Sequence, residues 1–138
     1  MSDQPATMAG MTYPPASPAP PDRATIELAL RVAQREVAGL EPDYWRGAVA
    51  VLRWALGHVD VAPVTGRPIR VDLDEPRRVT LNGEAERTYQ CMHGGRLRVE
   101  LGLSYLTGAE NTCAWVATGS GFAHTLDRQW LREHLGVE

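Results

Sequence analysis

The sequence contains no lysine, one phenylalanine and two cysteines among its 138 residues. All of its 14 basic residues are therefore arginine, which is typical of a bacterial genome of high GC content. Two cysteines are too few for a disulfide-stabilised secreted fold, and we expect free thiols in a reducing cytoplasm. The first ten residues lack the basic and apolar regions of a secretory signal. The longest apolar stretch, 47–57, is interrupted by Arg53 and is too short to span a bilayer.

An excess of positive charge is also missing. The formal net charge is −3 at pH 7, and the isoelectric point is about 5.8. A protein with this balance has no overall positive field that would concentrate nucleic acid or an anionic membrane surface around it. Any nucleic-acid function must therefore rest on a local group of arginines.

The first 21 residues have a composition unlike the rest of the chain. Their only charged side chain is Asp3, and five prolines fall within residues 14–21. Such a segment cannot bury enough apolar surface to offset the entropy of ordering, and clustered prolines favour extended conformations. We expect 1–21 to be a disordered arm and 22–138 to form a single domain.

Two helices are predicted at the start of this domain. Asp22 is a suitable N-cap, the apolar stripe that follows it has helical spacing, and Gly39 is a natural stop; the stripe comprises Ile26, Leu30, Ala33 and Val37. Pro42 suits the first position of a second helix, which Gly57 ends. The short connection between them predicts an antiparallel pair.

Beyond Gly57 the chain becomes rich in turn residues and alternating apolar segments, which predicts a small, mostly antiparallel sheet. A short C-terminal helix is expected at about Leu126 to Leu135. The predicted fold is therefore α+β, with the αα-hairpin packed on the sheet. The candidate strands are Ile69 to Leu73, Arg77 to Leu81, Arg87 to His93, Arg96 to Leu103 and Thr112 to Thr118, with a further short one at Phe122 to Thr125.

The segment TYQCMHGGRLRVELGL, 88–103, is interpreted as a hairpin that turns at Gly94 and Gly95. In that register Cys91 and His93 share the polar face of the sheet with several arginines. Nearby cations stabilise a thiolate, so Cys91 is a candidate nucleophile or redox sensor with His93 as its base. Cys113 is expected in the core, and the histidine spacings predict no metal site or cofactor.

The same face also supports a nucleic-acid alternative. Arginines beside an aromatic residue are the ingredients of a surface that binds single strands; the candidates are Arg87, Tyr89, Arg96 and Arg98. Against it stand the single aromatic residue and the acidic isoelectric point.

The second helix carries more apolar surface than one buried stripe requires. A second face combines small residues with a large aromatic one, which lets another backbone approach closely and gives it an anchor; this face comprises Gly47, Ala50, Val51 and Trp54. The occupant is either another helix of this chain or a partner, which would be a second copy or another protein. The sequence thus favours a non-enzymatic interaction or accessory module, with the nucleic-acid protein and the Cys91 enzyme as alternatives.

Overall fold

A computed structural model describes residues 19–93 and 101–119 of this protein. All regular secondary structure among the described residues is helical, and no strand occurs among them. The predicted α+β fold is therefore wrong, and the described part of the chain is all-α. Its four helices are α1 (Arg23–Glu36), α2 (Pro42–Ala55), α3 (Val79–His93) and α4 (Leu103–Thr118).

The N-terminal helical pair is confirmed. The Asp22 carboxylate accepts a hydrogen bond of 2.9 Å from the Thr25 N–H and caps α1, and Pro42 occupies the first turn of α2. The Arg23 guanidinium donates to the Leu56 carbonyl oxygen at 3.3 Å. Because this bond joins the start of α1 to the end of α2, the two helices run antiparallel.

The predicted strands are replaced by helix and irregular chain. Arg87 to His93 belongs to α3, and Thr112 to Thr118 belongs to α4. Arg77 to Leu81 contains the end of a short 3-10 helix, Pro76–Arg78, and the start of α3. Ile69 to Leu73 has no regular secondary structure. Most of the fourth candidate strand, the Phe122 to Thr125 strand and the C-terminal helix lie outside the described residues.

Threonines inside α3 and α4 find a local acceptor in their own helix. The hydroxyl of Thr88 donates to the Glu84 carbonyl oxygen at 2.7 Å, and that of Thr112 donates to the Gly108 carbonyl oxygen at 2.7 Å. Thr107 and Thr118 make the same bond to the carbonyl four residues earlier. This pairing satisfies a buried hydroxyl inside a helix.

Helix α4 lacks a clear apolar stripe because it is covered on more than one side. It packs against both α2 and α3, while α1 packs against α2. A helix with partners on two faces needs apolar residues around most of its circumference, so its sequence loses the helical period. This position explains why sequence alternation suggested a strand.

Helices α2 and α4 meet at two glycines. A Cβ atom on Gly47 would collide with the Tyr105 carbonyl oxygen and would lie 2.9 Å from the Ala109 nitrogen. A Cβ atom on Gly108 would collide with the Tyr44 carbonyl oxygen. The two backbones are therefore in direct contact, and neither glycine has room for a side chain.

The irregular segment between α2 and α3 is held by buried polar contacts. The Glu84 side chain is completely buried, and one of its oxygens, Oε2, accepts from the Val64 and Thr65 N–H groups at 3.0 and 2.9 Å. Its other oxygen accepts from the Thr65 hydroxyl at 2.9 Å. The Trp54 indole N–H donates to the Ile69 carbonyl oxygen at 2.8 Å. These bonds attach the segment to α2 and α3, although it has no regular pattern of backbone hydrogen bonds of its own.

Arg78 joins three parts of the chain just before α3. Its guanidinium donates to the carbonyl oxygens of Pro21, Leu73 and Val116 at 2.7, 3.1 and 3.0 Å. Burial lowers the pKa of Arg78, although the nearby carboxylates of Asp74 and Asp22 act in the opposite direction. Arg78 thus ties the start of the fold to the last turn of α4.

The glycine contact predicts opposite effects for the same substitution. Gly47→Ala and Gly108→Ala should each lower the free energy of unfolding by roughly 1–3 kcal/mol, because the added methyl group forces two backbones apart. Gly83→Ala is the matched control, since it also lies inside a helix but meets only the flexible end of Arg87. It should raise stability by up to about 1 kcal/mol through helix propensity. Urea unfolding of the three variants measures the difference, and equal effects would contradict the close approach.

Candidate functional site

The structure places most of the predicted α2 interface inside the protein. Val51 and Trp54 have no exposed surface, and Gly47 is buried against α4. Only Ala50 remains partly accessible. The small residues admit another backbone, as their pattern indicated, but that backbone is α4 of the same chain. Sequence reasoning missed this occupant because it assigned part of α4 to a strand.

Trp54 supplies a direct test of this burial. Trp54→Ala should lower the free energy of unfolding by about 3–5 kcal/mol, because it removes a fully buried side chain and leaves a cavity. Trp54→Phe keeps most of the apolar volume and removes the bond to the Ile69 carbonyl, so it should have a smaller effect. Denaturant unfolding compares the two variants. A Trp54→Ala protein as stable as the wild type would contradict the burial.

An accessible apolar surface lies at the C-terminal half of α2 and in the loop that follows it. A groove of about 330 Å³ opens there, and two of its valines, Val59 and Val61, are 41% and 46% exposed. Tyr105 of α4 forms the opposite side. The complete lining is Ala50, Arg53, Val59, Val61, Pro63 and Tyr105.

Local backbone geometry brings these residues together. Gly57 adopts a φ of +83°, which favours glycine and reverses the chain at the end of α2. The His58 N–H then donates to the Arg53 carbonyl oxygen at 2.9 Å, and the Ala62 N–H donates to the Arg67 carbonyl oxygen at 2.9 Å. Ala62 itself is buried between the exposed Val61 and the half-buried Pro63. The apolar rim is therefore held by hydrogen bonds and by its buried neighbour.

One cation lies at the edge of the groove. Arg53 is exposed and makes no ion pair with any residue within 19–93 or 101–119. The nearest acid in sequence to the two valines, Asp60, is already paired with Arg70 at 3.1 Å. An apolar recess beside an unpaired guanidinium suits a ligand that combines an apolar side chain with a carboxylate.

A second, more polar cleft of about 260 Å³ lies between α3 and α4. The Tyr89 ring contacts the His93 ring, with centroids 4.3 Å apart. Burial raises the pKa of Glu110, and the charge of His93 only partly offsets this effect. The cleft is lined by Asn82, Ala85, Glu86, Tyr89 and Glu110.

The proposed Cys91 and His93 pair is not assembled. Residues two positions apart in a helix point in different directions, so the half-buried Cys91 and the exposed His93 of α3 do not share a face. Cys113 is completely buried, and this burial raises the pKa of its thiol well above the ordinary value. The described residues therefore contain no nucleophile and base in contact at these positions.

The candidate nucleic-acid residues are also separated. Arg87 and Tyr89 are both exposed on α3, but they too are two residues apart. Tyr89 lies in the cleft that contains the carboxylates of Glu86 and Glu110, which repel phosphate. The other two arginines of this set, at positions 96 and 98, lie outside the described residues.

Neither a metal centre nor a membrane span is found in the described part. No group of three or more histidine, cysteine, aspartate or glutamate side chains there could hold a metal ion. None of the described helices is both long enough and apolar enough to cross a membrane. Comparisons with protein-family models, curated proteins and solved structures find no match for this chain.

The raised pKa of Glu110 predicts that the stability of the fold depends on pH. Its folded pKa is raised above the ordinary value of 4.5, so folding favours the protonated carboxyl. This contribution is fully present below pH 4.5 and is lost as the pH rises through the folded pKa. Several titratable groups surround Glu110. They are Tyr44 of α2, Glu86, Tyr89 and His93 of α3, and the buried Cys113 thiol.

Glu110→Gln should therefore stabilise the protein at pH 7.5 relative to the wild type, and this gain should shrink at pH 4. Urea unfolding at the two pH values measures the effect. Glu27→Gln, on the exposed side of α1, is the control for removing a surface carboxylate. A larger gain for Glu110→Gln at pH 4 than at pH 7.5 would contradict the assigned direction.

Proposed function

We propose that this protein is a non-enzymatic, cytoplasmic interaction module that binds a protein segment in the groove between the end of α2 and Tyr105. The observation that carries the proposal is the cluster of exposed Val59 and Val61 around an apolar recess. Grouped exposed apolar side chains favour a binding site, whereas isolated ones do not.

The rigidity of the groove supports this function. Its floor, Ala50, lies in α2 next to a helix contact that has no spare room, and its rim is fixed by backbone hydrogen bonds. A preformed site loses little conformational entropy when it binds a ligand. The groove can therefore accept an apolar side chain without a change in its own conformation.

The cytoplasmic location rests on the cysteines. Cys91 and Cys113 are both free thiols, and Cys113 is packed in the core. Free thiols are usual in a reducing compartment. The enzyme and nucleic-acid alternatives receive no comparable support, because those of their candidate residues that the structure describes are dispersed on α3.

A displayed peptide library tests the proposed groove without a known partner. Selection on the full-length protein should enrich peptides with an apolar residue near an acidic one. Their affinity should fall by about tenfold or more on Val61→Asp, since a buried unpaired carboxylate opposes apolar contact. Fluorescence anisotropy of the synthetic peptides measures the change.

Val79→Asp is the matched control, because Val79 is also an exposed valine but lies at the start of α3, outside the groove lining. It should leave the affinity unchanged. Peptides that bind Val61→Asp as tightly as the wild type would place the binding surface elsewhere. Failure to enrich any peptide would contradict an interaction module of this kind.

A further inference from the structure

We infer that two copies of this chain associate through antiparallel α2 helices, with Leu40 of each copy in the groove of the other and Glu41 beside Arg53. This inference names a second copy as an occupant of the groove and therefore rests on the proposed function. It uses the exposed face of α2, whereas the interface predicted from the sequence is mostly buried within one chain.

Leu40 is the most exposed of the large apolar side chains that the structure describes, at 99%. It lies in the turn between α1 and α2, which backbone hydrogen bonds hold on both sides. The Gly39 N–H donates to the Glu36 carbonyl oxygen at 2.9 Å, and the Trp45 N–H donates to the Glu41 carbonyl oxygen at 3.3 Å. The Leu40 side chain is therefore presented to solvent by an ordered turn, and its removal from water would favour association.

Leu40 is followed by an acidic residue, which is the combination that the groove suits. Glu41 is exposed and makes no ion pair with any residue in the described ranges. Arg53, at the edge of the groove, is likewise unpaired among the residues that the structure places. In the proposed contact the Leu40 side chain enters the apolar recess, and the Glu41 carboxylate pairs with the Arg53 guanidinium.

The two halves of this contact are too far apart to meet within one chain. Leu40 lies before the first residue of α2, whereas the groove is formed at the last turns of this helix and in the following loop. The helix has 14 residues and separates the two features by roughly 20 Å. Each copy therefore carries one groove and one Leu40 turn, and a two-fold axis makes the same contact twice.

The exposed face of α2 is complementary to itself in this arrangement. Four residues at helical spacing share this face; they are Asp43, Arg46, Ala50 and Arg53. In an antiparallel pair, Asp43 lies opposite Arg53 of the second copy, and Arg46 lies opposite the small Ala50. Asp43 already accepts from Arg46 at 2.7 Å within its own chain, and a carboxylate can accept from a second guanidinium. A parallel pair would instead bring like charges together, so the charges favour the antiparallel orientation.

Sedimentation velocity of the full-length protein over a series of concentrations tests this inference. The wild type should show a reversible equilibrium between monomer and dimer, and the dimer should be weak because one helix face and two turns form a small interface. Leu40→Ser should raise the dissociation constant by about tenfold or more, since the two-fold axis makes one substitution remove two contacts.

Val79→Ser is the matched control, because Val79 is another exposed aliphatic residue but lies at the start of α3. It should leave the dissociation constant unchanged. Urea unfolding of dilute Leu40→Ser should match that of the wild type, which shows that the loss of the dimer is not a loss of the fold.

An exchange of charges tests the pairing of Glu41 with Arg53. Glu41→Arg and Arg53→Glu should each raise the dissociation constant by about tenfold or more, because each one places like charges together at two sites. The double variant should dimerise more tightly than either single variant. Glu27→Arg, on the exposed side of α1, is the control for the change in net charge.

Three results would overturn the inference. The first is a wild type that remains monomeric at about 1 mM. The second is a set of species that grow beyond the dimer, because the same contact made head to tail does not close. The third is a double charge variant that dimerises no more tightly than the two single variants.

The two proposals fail separately in these experiments. Displayed peptides that require Val61, together with a monomeric wild type, would retain the proposed function and remove the second copy as an occupant. A dimer that depends on Leu40 and Arg53, without any enriched peptide, would retain self-association and remove the external partner. If both proposals hold, the selected peptides should dissociate the dimer and should bind Leu40→Ser more tightly than the dimeric wild type.

Discussion

The backbone contact between α2 and α4 is the constraint on which the rest of the structure depends. Gly47 and Gly108 bring the two helices to a distance that leaves no room for a Cβ atom. Val51 and Trp54 of the same helix are completely buried, and Ala50 and Tyr105 line one groove beside this contact. The same contact therefore hides one apolar face of α2 and forms one wall of the candidate groove.

The irregular segment after α2 completes this arrangement through polar bonds inside the core. Glu84 reaches from α3 and accepts three hydrogen bonds from Val64 and Thr65. A buried carboxylate is tolerated when its lone pairs are satisfied in this way. Because Val64 is anchored, the preceding valines at 59 and 61 remain at the surface in a defined position. The buried hydrogen bonds of Glu84 and the exposed valines of the groove thus result from the same conformation of this segment.

The position of the candidate site follows from this division. Chemistry-bearing side chains on α3, including Cys91 and His93, are dispersed by the helical period. Apolar side chains from α2, its following loop and α4 converge instead, with Arg53 at the edge. The proposed binding of an apolar and acidic segment therefore has more geometric support among the described residues than catalysis has.

The sequence by itself determined α1 and α2, because a capping aspartate, a first-turn proline and a stopping glycine act locally. It also indicated that a backbone approaches Gly47, because small residues allow close packing and the neighbouring aromatic residue provides an anchor. Only the tertiary structure decided that α4 is this partner and that residues 79–93 and 103–118 are helical. Helix α4 is covered on two sides, so its apolar residues show no clear helical period that would distinguish it from a strand. The groove depends on residues 50–63 meeting the distant Tyr105 of α4, which no local pattern encodes.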